Sequence, residues 1–291
     1  MKFLAVLLCL LLFIFPVFSD DFDGVLKQLE QKNNANGITL GTVKSGTGSA
    51  TNPLLWDRVF VMFFENHGYL QTLHSKPWQS IIQKSTWLTN FHATTHPSQP
   101  NYIATIAGDT VGVHGDGYYS LDQTSLIDLL EKKGVSWKSY QENYTPSDSS
   151  GNCNDAERIG LYARKHNPFM SFKKVRSSLK LCQNIVNSDQ LSKDIESGNL
   201  PQFSFYTPNM NNDAHDTGMD FAGNYLHKFY DKYITNPKFT QNTLILITFD
   251  EDECKNYNIY LRFHCLFRLF NKYCKTYSND TMYCITYMSL N

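Results

Sequence analysis

Thr243-Leu244-Ile245-Leu246-Ile247-Thr248-Phe249, followed at once by Asp250-Glu251-Asp252, is the stretch that decides the fold. A short apolar, β-branched run of this length reads as a strand, and one without polar alternation is a strand buried on both faces. Such strands belong to parallel sheets covered by helices. The acidic triplet then stands where the chain leaves the sheet, the edge at which open α/β sheets bind ligands.

Working outward, the same pattern recurs. Val59 to Phe64 is a second apolar run ending in Glu65-Asn66-His67, and Ser136 to Gln141 and Gln202 to Tyr206 read as further strands, the latter leading to Asp213-Ala214-His215-Asp216. Between them lie amphipathic segments that predict helices at Asn101 to Ala107, Ser125 to Lys133 before Gly134, Asp189 to Ser197 before Gly198, and Met219 to Ile234. In the last, Ala222, Tyr225, Leu226, Phe229 and Tyr233 share one face at helical spacing. Strands alternating with helices define an α/β domain.

The flanks differ from this body. Lys2, the apolar run Phe3 to Phe15 and the exit Val17-Phe18-Ser19 have the three regions of a secretory signal peptide over residues 1–19, and the run is shorter than the roughly 20 residues of a spanning helix. Residues 20–53 are rich in Asn, Gly, Ser and Thr and read as a flexible prefix. After Glu253, residues 254–291 carry nine Tyr or Phe and four Cys but no Gly, Pro, Ala, Val or Trp, so this Cys/aromatic-rich tail is expected to stay out of the sheet.

Charge and cysteines narrow the class. Lys and Arg total 26 against 27 Asp and Glu, with no polybasic stripe, which argues against a nucleic-acid partner. Removing the leader takes Cys9 with it and leaves an even number of cysteines, as expected of an oxidising compartment; Cys153 and Cys182, both in the loop-rich middle, are predicted to pair. Asn143-Tyr144-Thr145 and Asn279-Asp280-Thr281 are glycosylation sequons on the same route, which predicts a secreted or lysosomal protein with no stable membrane span after leader removal.

Three carboxylate clusters gathered at one sheet edge repel unless they are protonated or joined by a cation. A divalent metal ion is the economical solution, and the oxygen-rich set Glu65, Asp250 and Glu251 suits Mg, Ca or Mn better than a structural zinc site. The other chemical segment is Thr94-Thr95-His96-Pro97-Ser98-Gln99-Pro100-Asn101-Tyr102. Pro100 is placed to open the following helix, whose leading N–H groups would face the loop holding Ser98. A hydroxyl there that also touches a cation has its alkoxide favoured twice, which makes a serine nucleophilic without a histidine base.

Together Phe63-Phe64-Glu65-Asn66-His67-Gly68-Tyr69, Thr95-His96-Pro97-Ser98-Gln99-Pro100-Asn101-Tyr102, Lys165-His166-Asn167-Pro168-Phe169, Tyr206 to Asp216 and Thr248 to Asp252 resemble the phosphoesterase family of secreted acid phosphatases and bacterial phospholipases C, within the alkaline phosphatase superfamily. The resemblance spans residues 54–253. It implies a three-layer α/β/α sandwich around a central, mostly parallel sheet, and metal-assisted attack of a hydroxyl on phosphorus. Carried over residue by residue, it implies Glu65, Ser98, Asp250 and Glu251 as ligands of a divalent metal ion (Mg, Ca, Mn or Zn), Ser98 as nucleophile, and Asn66 as a donor to the phosphoryl oxygens. His166, Asp213 and His215 are implied on the phosphate and leaving-group side, with His96 a further candidate. It also implies a further strand and a late histidine beyond the Asp-Glu motif. Cys254 to Asn291 does not reproduce these, so the domain is expected to be incomplete at its C-terminus.

The leading expectation is therefore a metal-dependent phosphomonoesterase acting on a small phosphate ester through a phosphoserine. The alternatives are a phospholipase C-like phosphodiesterase engaging a phospholipid headgroup, and a catalytically impaired phosphate-binding protein.

Overall fold

The structure, a computed structural model, describes residues 56–148 and 150–252, of which 87–90 by backbone alone, and the backbone of 263–268. The predicted leader, the prefix, the Asn279 sequon and the rest of the tail lie outside the described residues. Nine strands are present among them: β1 (Arg58–Phe64), β2 (Thr86–Phe91), β3 (Trp137–Gln141), β4 (Arg158–Ile159), β5 (Tyr162–Ala163), β6 (Ile185–Asn187), β7 (Phe203–Thr207), β8 (Thr243–Phe249) and β9 (Phe263–Arg268). The main helices are α1 (Tyr69–His74), α2 (Lys76–Ile82), α3 (Ser98–Ala107), α4 (Leu126–Lys133), α5 (Gln190–Ser197) and α6 (Met219–Phe229), the last continuing as a wider turn over Tyr230–Ile234.

The sheet runs β2-β9-β8-β1-β7-β3-β6, and the five strands from β8 to β6 are mutually parallel. Strand β1 shows why helices cover both faces. Its side chains alternate: Phe60 packs on Phe229 of α6 and Phe64 on Trp78 of α2, while Phe63 on the other face packs on Tyr102 of α3. Every residue from Val59 to Phe64 is buried, as is every residue of β8. This is the layered α/β sandwich expected from the unbroken apolar runs.

Local chemistry sets the helix ends. Ser125 caps α4 in a reciprocal box with Asp128, and Gly134 and Gly198 close α4 and α5 at φ 66° and 73°, a conformation that suits glycine. Helix α3 begins earlier than expected, at Ser98 and not at Pro100. Pro100 sits in the first turn, where a missing N–H breaks no helical hydrogen bond.

The expectation that the tail stays out of the sheet is overturned for Phe263–Arg268. This segment pairs antiparallel with β8 (Ile245↔Arg268, Leu246↔Phe267, Ile247↔Leu266) and, on its other side, with β2. The edge of β8 presents a row of backbone donors and acceptors that only another strand satisfies, and an apolar-aromatic segment of strand length fills that place. A disulfide joins Cys153 to Cys182, with Cα atoms 5.9 Å apart, as the cysteine pattern predicts. No helix among the described residues is long and apolar enough to cross a membrane.

Candidate active site

Register places the acidic clusters together. Phe64 and Phe249 are partners across β1 and β8, so Glu65 and Asp250 leave the sheet side by side. The Asp250 amide donates to Phe64 O at 3.0 Å and the Glu65 amide to Asp213 O at 2.8 Å, which laces the three strand exits into one floor. Two non-glycine residues in this floor adopt left-handed backbone, Asn66 (φ 51°) and Ala214 (φ 87°). Such conformations persist where surrounding contacts over-determine them, as at ligand sites.

Ser98, at the first position of α3, points its hydroxyl into this floor. Its Oγ lies 3.0 Å from Glu65 Oε2, 3.1 Å from Asn66 Oδ1 and 3.2 Å from Glu251 Oε1. A hydroxyl has one proton to donate, so at any moment two of these three oxygens face a lone pair. The Asn66 amide N–H donates to Asp250 Oδ1 at 3.1 Å, tying the Asn66 turn to the opposite strand. His96 pairs through Nδ1 with Glu251 Oε2, and its Nε2 is 3.8 Å from Asp252 Oδ1.

The other flank is built from histidines. His166 Nε2 is 3.3 Å from Glu65 Oε1 and its Nδ1 is 3.5 Å from Asp213 Oδ2. Asp213 Oδ1 accepts the His215 amide at 2.8 Å, and the His215 ring lies 5.6 Å from that of His166. Ligand atoms of Glu65, His166 and His215 all fall within 4.8 Å of one another. All the residues expected at the site are thus drawn to one end of the sheet.

Burial dominates the electrostatics. Glu65, Asp213 and Asp250 are 0%, 0% and 2% exposed. Desolvation pushes the Glu65 carboxyl well above its usual range, with Asp250 and Asp213 adding repulsion, and it does the same to Asp213. Burial pushes Asp250 up to about 7. Burial, helped by Lys165 and His215, holds the His166 imidazole neutral. His166 Nε2, Asp213 Oδ2 and Asp250 Oδ2 are buried without a hydrogen-bond partner. Native interiors rarely leave such atoms unsatisfied. Unpaired carboxylate oxygens beside an imidazole are a donor set that a divalent cation satisfies, so the residues present fit a metal ion.

Two features depart from the sequence reading. Of the first three α3 positions, Pro100 has no N–H and the Gln99 N–H donates to Asp116 Oδ1 at 3.0 Å, so the helix start offers fewer amides to an oxyanion than expected. Tyr102, passed over as a motif letter, donates from its hydroxyl to Glu65 Oε1 and stacks on His166 with centroids 5.1 Å apart. It lies four residues after Ser98 on one helix, a spacing that puts both on one face. Asn101, by contrast, braces the loop: its Oδ1 accepts from the amides of Thr94 and Thr95, and its Nδ2 donates to Thr95 O.

A buried serine among carboxylates at the C-terminal edge of a parallel sheet brings a hydroxyl and several oxygen donors to one place, an arrangement able to deliver a nucleophile beside a cation. Residues 57–255 match the Phosphoesterase family, and the chain belongs to it. It is 37% identical over 200 residues to a probable acid phosphatase of Kluyveromyces lactis, covering 67% of this chain and 48% of that protein. It is 34% identical over 206 residues to a phosphate-repressible acid phosphatase of Penicillium chrysogenum, covering 70% and 50%. The chain therefore spans about half the length of these curated relatives. Its fold is similar to that of a protein in the alkaline phosphatase superfamily from Vibrio parahaemolyticus, with a TM-score of 0.50 at 13% identity, covering 73% of this chain and 60% of that one.

Proposed function

We propose that the protein is a metal-dependent phosphomonoesterase that transfers the phosphoryl group of a small ester to Ser98 and then to water. The observation that carries this reading is the Ser98 hydroxyl, 1% exposed and within 3.2 Å of Glu65, Asn66 and Glu251. The two acid phosphatase relatives support the substrate class.

Glu65, Asp250 and Glu251, with the Ser98 oxygen, would hold the cation, and His166, whose unpartnered Nε2 lies beside Glu65, offers a nitrogen donor next to it. A divalent cation bound there supplies Lewis acidity toward phosphoryl oxygen and lowers the hydroxyl pKa. The chain does the rest. Ser98 Oγ attacks phosphorus as its proton passes to Glu65 Oε2 or Glu251 Oε1, the oxygens already placed to accept it, while the P–O bond to the ester's alcohol breaks and that oxygen takes a proton from solvent as it leaves. Asn66, with its carbonyl directed at Ser98, has its amide N–H groups left to donate to the phosphoryl oxygens. Tyr102 keeps its proton because burial raises its pKa well above the usual range, and it holds Glu65 in orientation. Water entering past His215, whose side chain is a quarter exposed, then hydrolyses the phosphoserine.

The Cys153–Cys182 disulfide and the exposed Asn143 sequon support passage through the secretory pathway. Hydrolysis of a chromogenic monoester, compared with a diester and with Ser98→Ala, tests the reading. Monoester turnover that exceeds diester turnover and disappears in the variant supports it, diester preference favours the phospholipase C-like alternative, and no turnover of either ester removes the enzymatic reading.

A further inference from the structure

We propose that Lys165 selects a dianionic phosphate monoester over a diester by donating to a phosphoryl oxygen at the mouth of the site, an inference that rests on the phosphomonoesterase reading. Lys165 stands between Arg164 and His166, 1% and 2% exposed. Arg164 donates to the carbonyls of Tyr119 and Met170 and lies 4.1 Å over the Tyr118 ring. These contacts fix the 164–166 turn against the loop that follows Asp116.

Within that turn the Lys165 side chain reaches outward, with Nζ 2.8 Å from Asp116 Oδ2 and 3.4 Å from His215 Nε2. An ammonium carries three N–H groups. Two have these partners, and the third has none among the described residues. His215 Nδ1 is 2.7 Å from Asp216 Oδ1, which orients the ring so that its Nε2 lone pair accepts from Lys165. The ammonium is thereby held beside a residue of the phosphate side with one donor to spare.

Asp116 connects this cation to the nucleophile. Its Oδ1 accepts the amide of Gln99, the residue after Ser98, while the Gly117 amide donates to Gln99 Oε1 at 2.7 Å. One carboxylate therefore sets both the start of α3 and the position of the ammonium. The charge of Lys165 is also felt across the floor, since it favours the ionised forms of Glu65, Asp213 and Asp250.

A monoester at pH 7 carries close to two negative charges, its second pKa being about 6, whereas a diester carries one. A charge-assisted hydrogen bond is worth roughly tenfold to a hundredfold in affinity. Lys165 gives more of that to the ester whose phosphoryl oxygen carries the extra charge.

The test is kcat/KM for a chromogenic monoester and diester at pH 7 with divalent cation present, together with calorimetric titration of inorganic phosphate, in wild type, Lys165→Gln and Lys165→Arg. Lys165→Gln is expected to lower the monoester-to-diester ratio by about tenfold or more and to weaken phosphate binding by a similar factor, with Lys165→Arg recovering most of both. An unchanged ratio with unchanged phosphate affinity overturns the proposal. If the wild type hydrolyses neither ester, the functional reading fails and the phosphate titration alone judges Lys165: weaker binding in Lys165→Gln supports it, and equal or absent binding in both overturns it. Should Lys165→Gln fail to fold, Asp116→Asn, which keeps an acceptor for Gln99 but loses the charge that holds Lys165, must shift the ratio in the same direction, and an unshifted ratio overturns the proposal.

Discussion

Asp250→Asn should stabilise the chelated protein at neutral pH while destroying its affinity for the cation. Burial raises the Asp250 carboxyl to about 7 in the folded chain, against an ordinary value near 4 when unfolded. A carboxyl whose folded pKa is raised contributes its full stability below about pH 4, and that contribution is lost as pH rises through about 7. By linkage the wild type then sits about 4 kcal/mol lower in stability at pH 7 than it would with a neutral side chain there. For a domain of this size about 4 kcal/mol corresponds to roughly 8 to 16 °C in Tm. Asparagine keeps an oxygen to accept the Asn66 amide and carries no charge. Differential scanning calorimetry in chelator, from pH 4 to 8, should therefore show wild type and Asp250→Asn melting together at pH 4 and the variant melting higher at pH 7. Adding divalent cation should raise the wild-type Tm at pH 7 and leave the variant unmoved, since a ligand bound only to the folded state stabilises by mass action. A variant that melts below wild type at pH 7 in chelator, or a wild type indifferent to cation, would refute the reasoning.

Other expectations follow from the same geometry. Asp252→Asn should weaken cation affinity far less than Asp250→Asn, because the Asp252 Oδ1 lies beside His96 Nε2, as calorimetric titration of the metal will show. Removing the Cys153–Cys182 bond by double serine substitution should cost about 3 to 4 kcal/mol on the loop-entropy model, read as a lower denaturant midpoint, and an unchanged midpoint would rule this out. Tyr102→Phe keeps the ring stacked on His166 but frees Glu65 Oε1, so cation affinity should fall by about tenfold or more with little loss of Tm. Gly223→Ala would place a Cβ 2.7 Å from Pro77 Cβ and 2.9 Å from Trp78 Cδ1, and the crowding should lower stability by about 1 to 3 kcal/mol in thermal melts.

The parts legible in the sequence were those where one residue pattern has one physical solution. The apolar run Thr243–Phe249 can only be a strand covered on both sides, and it is found with those bounds. Carboxylates following such runs had to meet at the sheet edge, as Glu65 and Asp250 do. Strand β6, three residues long, is too short to carry a period, and β2 reads as a mixed polar segment until its pairing with β9 is seen. Strand β9 escaped for a different reason: composition marks Phe263–Arg268 as foreign to an ordinary domain, whereas the unsatisfied edge of β8 that it pairs with exists only in three dimensions. Tyr102, Lys165 and Asp116 act through contacts between distant segments. Of these, Tyr102 and Lys165 stood inside quoted motifs without a role, the four-residue spacing of Tyr102 from Ser98 being the one hint of its place, and Asp116 left no trace.

That Ser98 takes up the phosphoryl group is tested most directly by acid-quenching the cation-loaded protein during turnover of a phosphate monoester and mapping the phosphate by peptide mass spectrometry. Phosphate on the Ser98 peptide of the wild type, absent in Ser98→Ala together with a loss of turnover of about 10³-fold or more at unchanged Tm, is the predicted result. Turnover with no phosphate on Ser98, or near-normal turnover by Ser98→Ala, would contradict it.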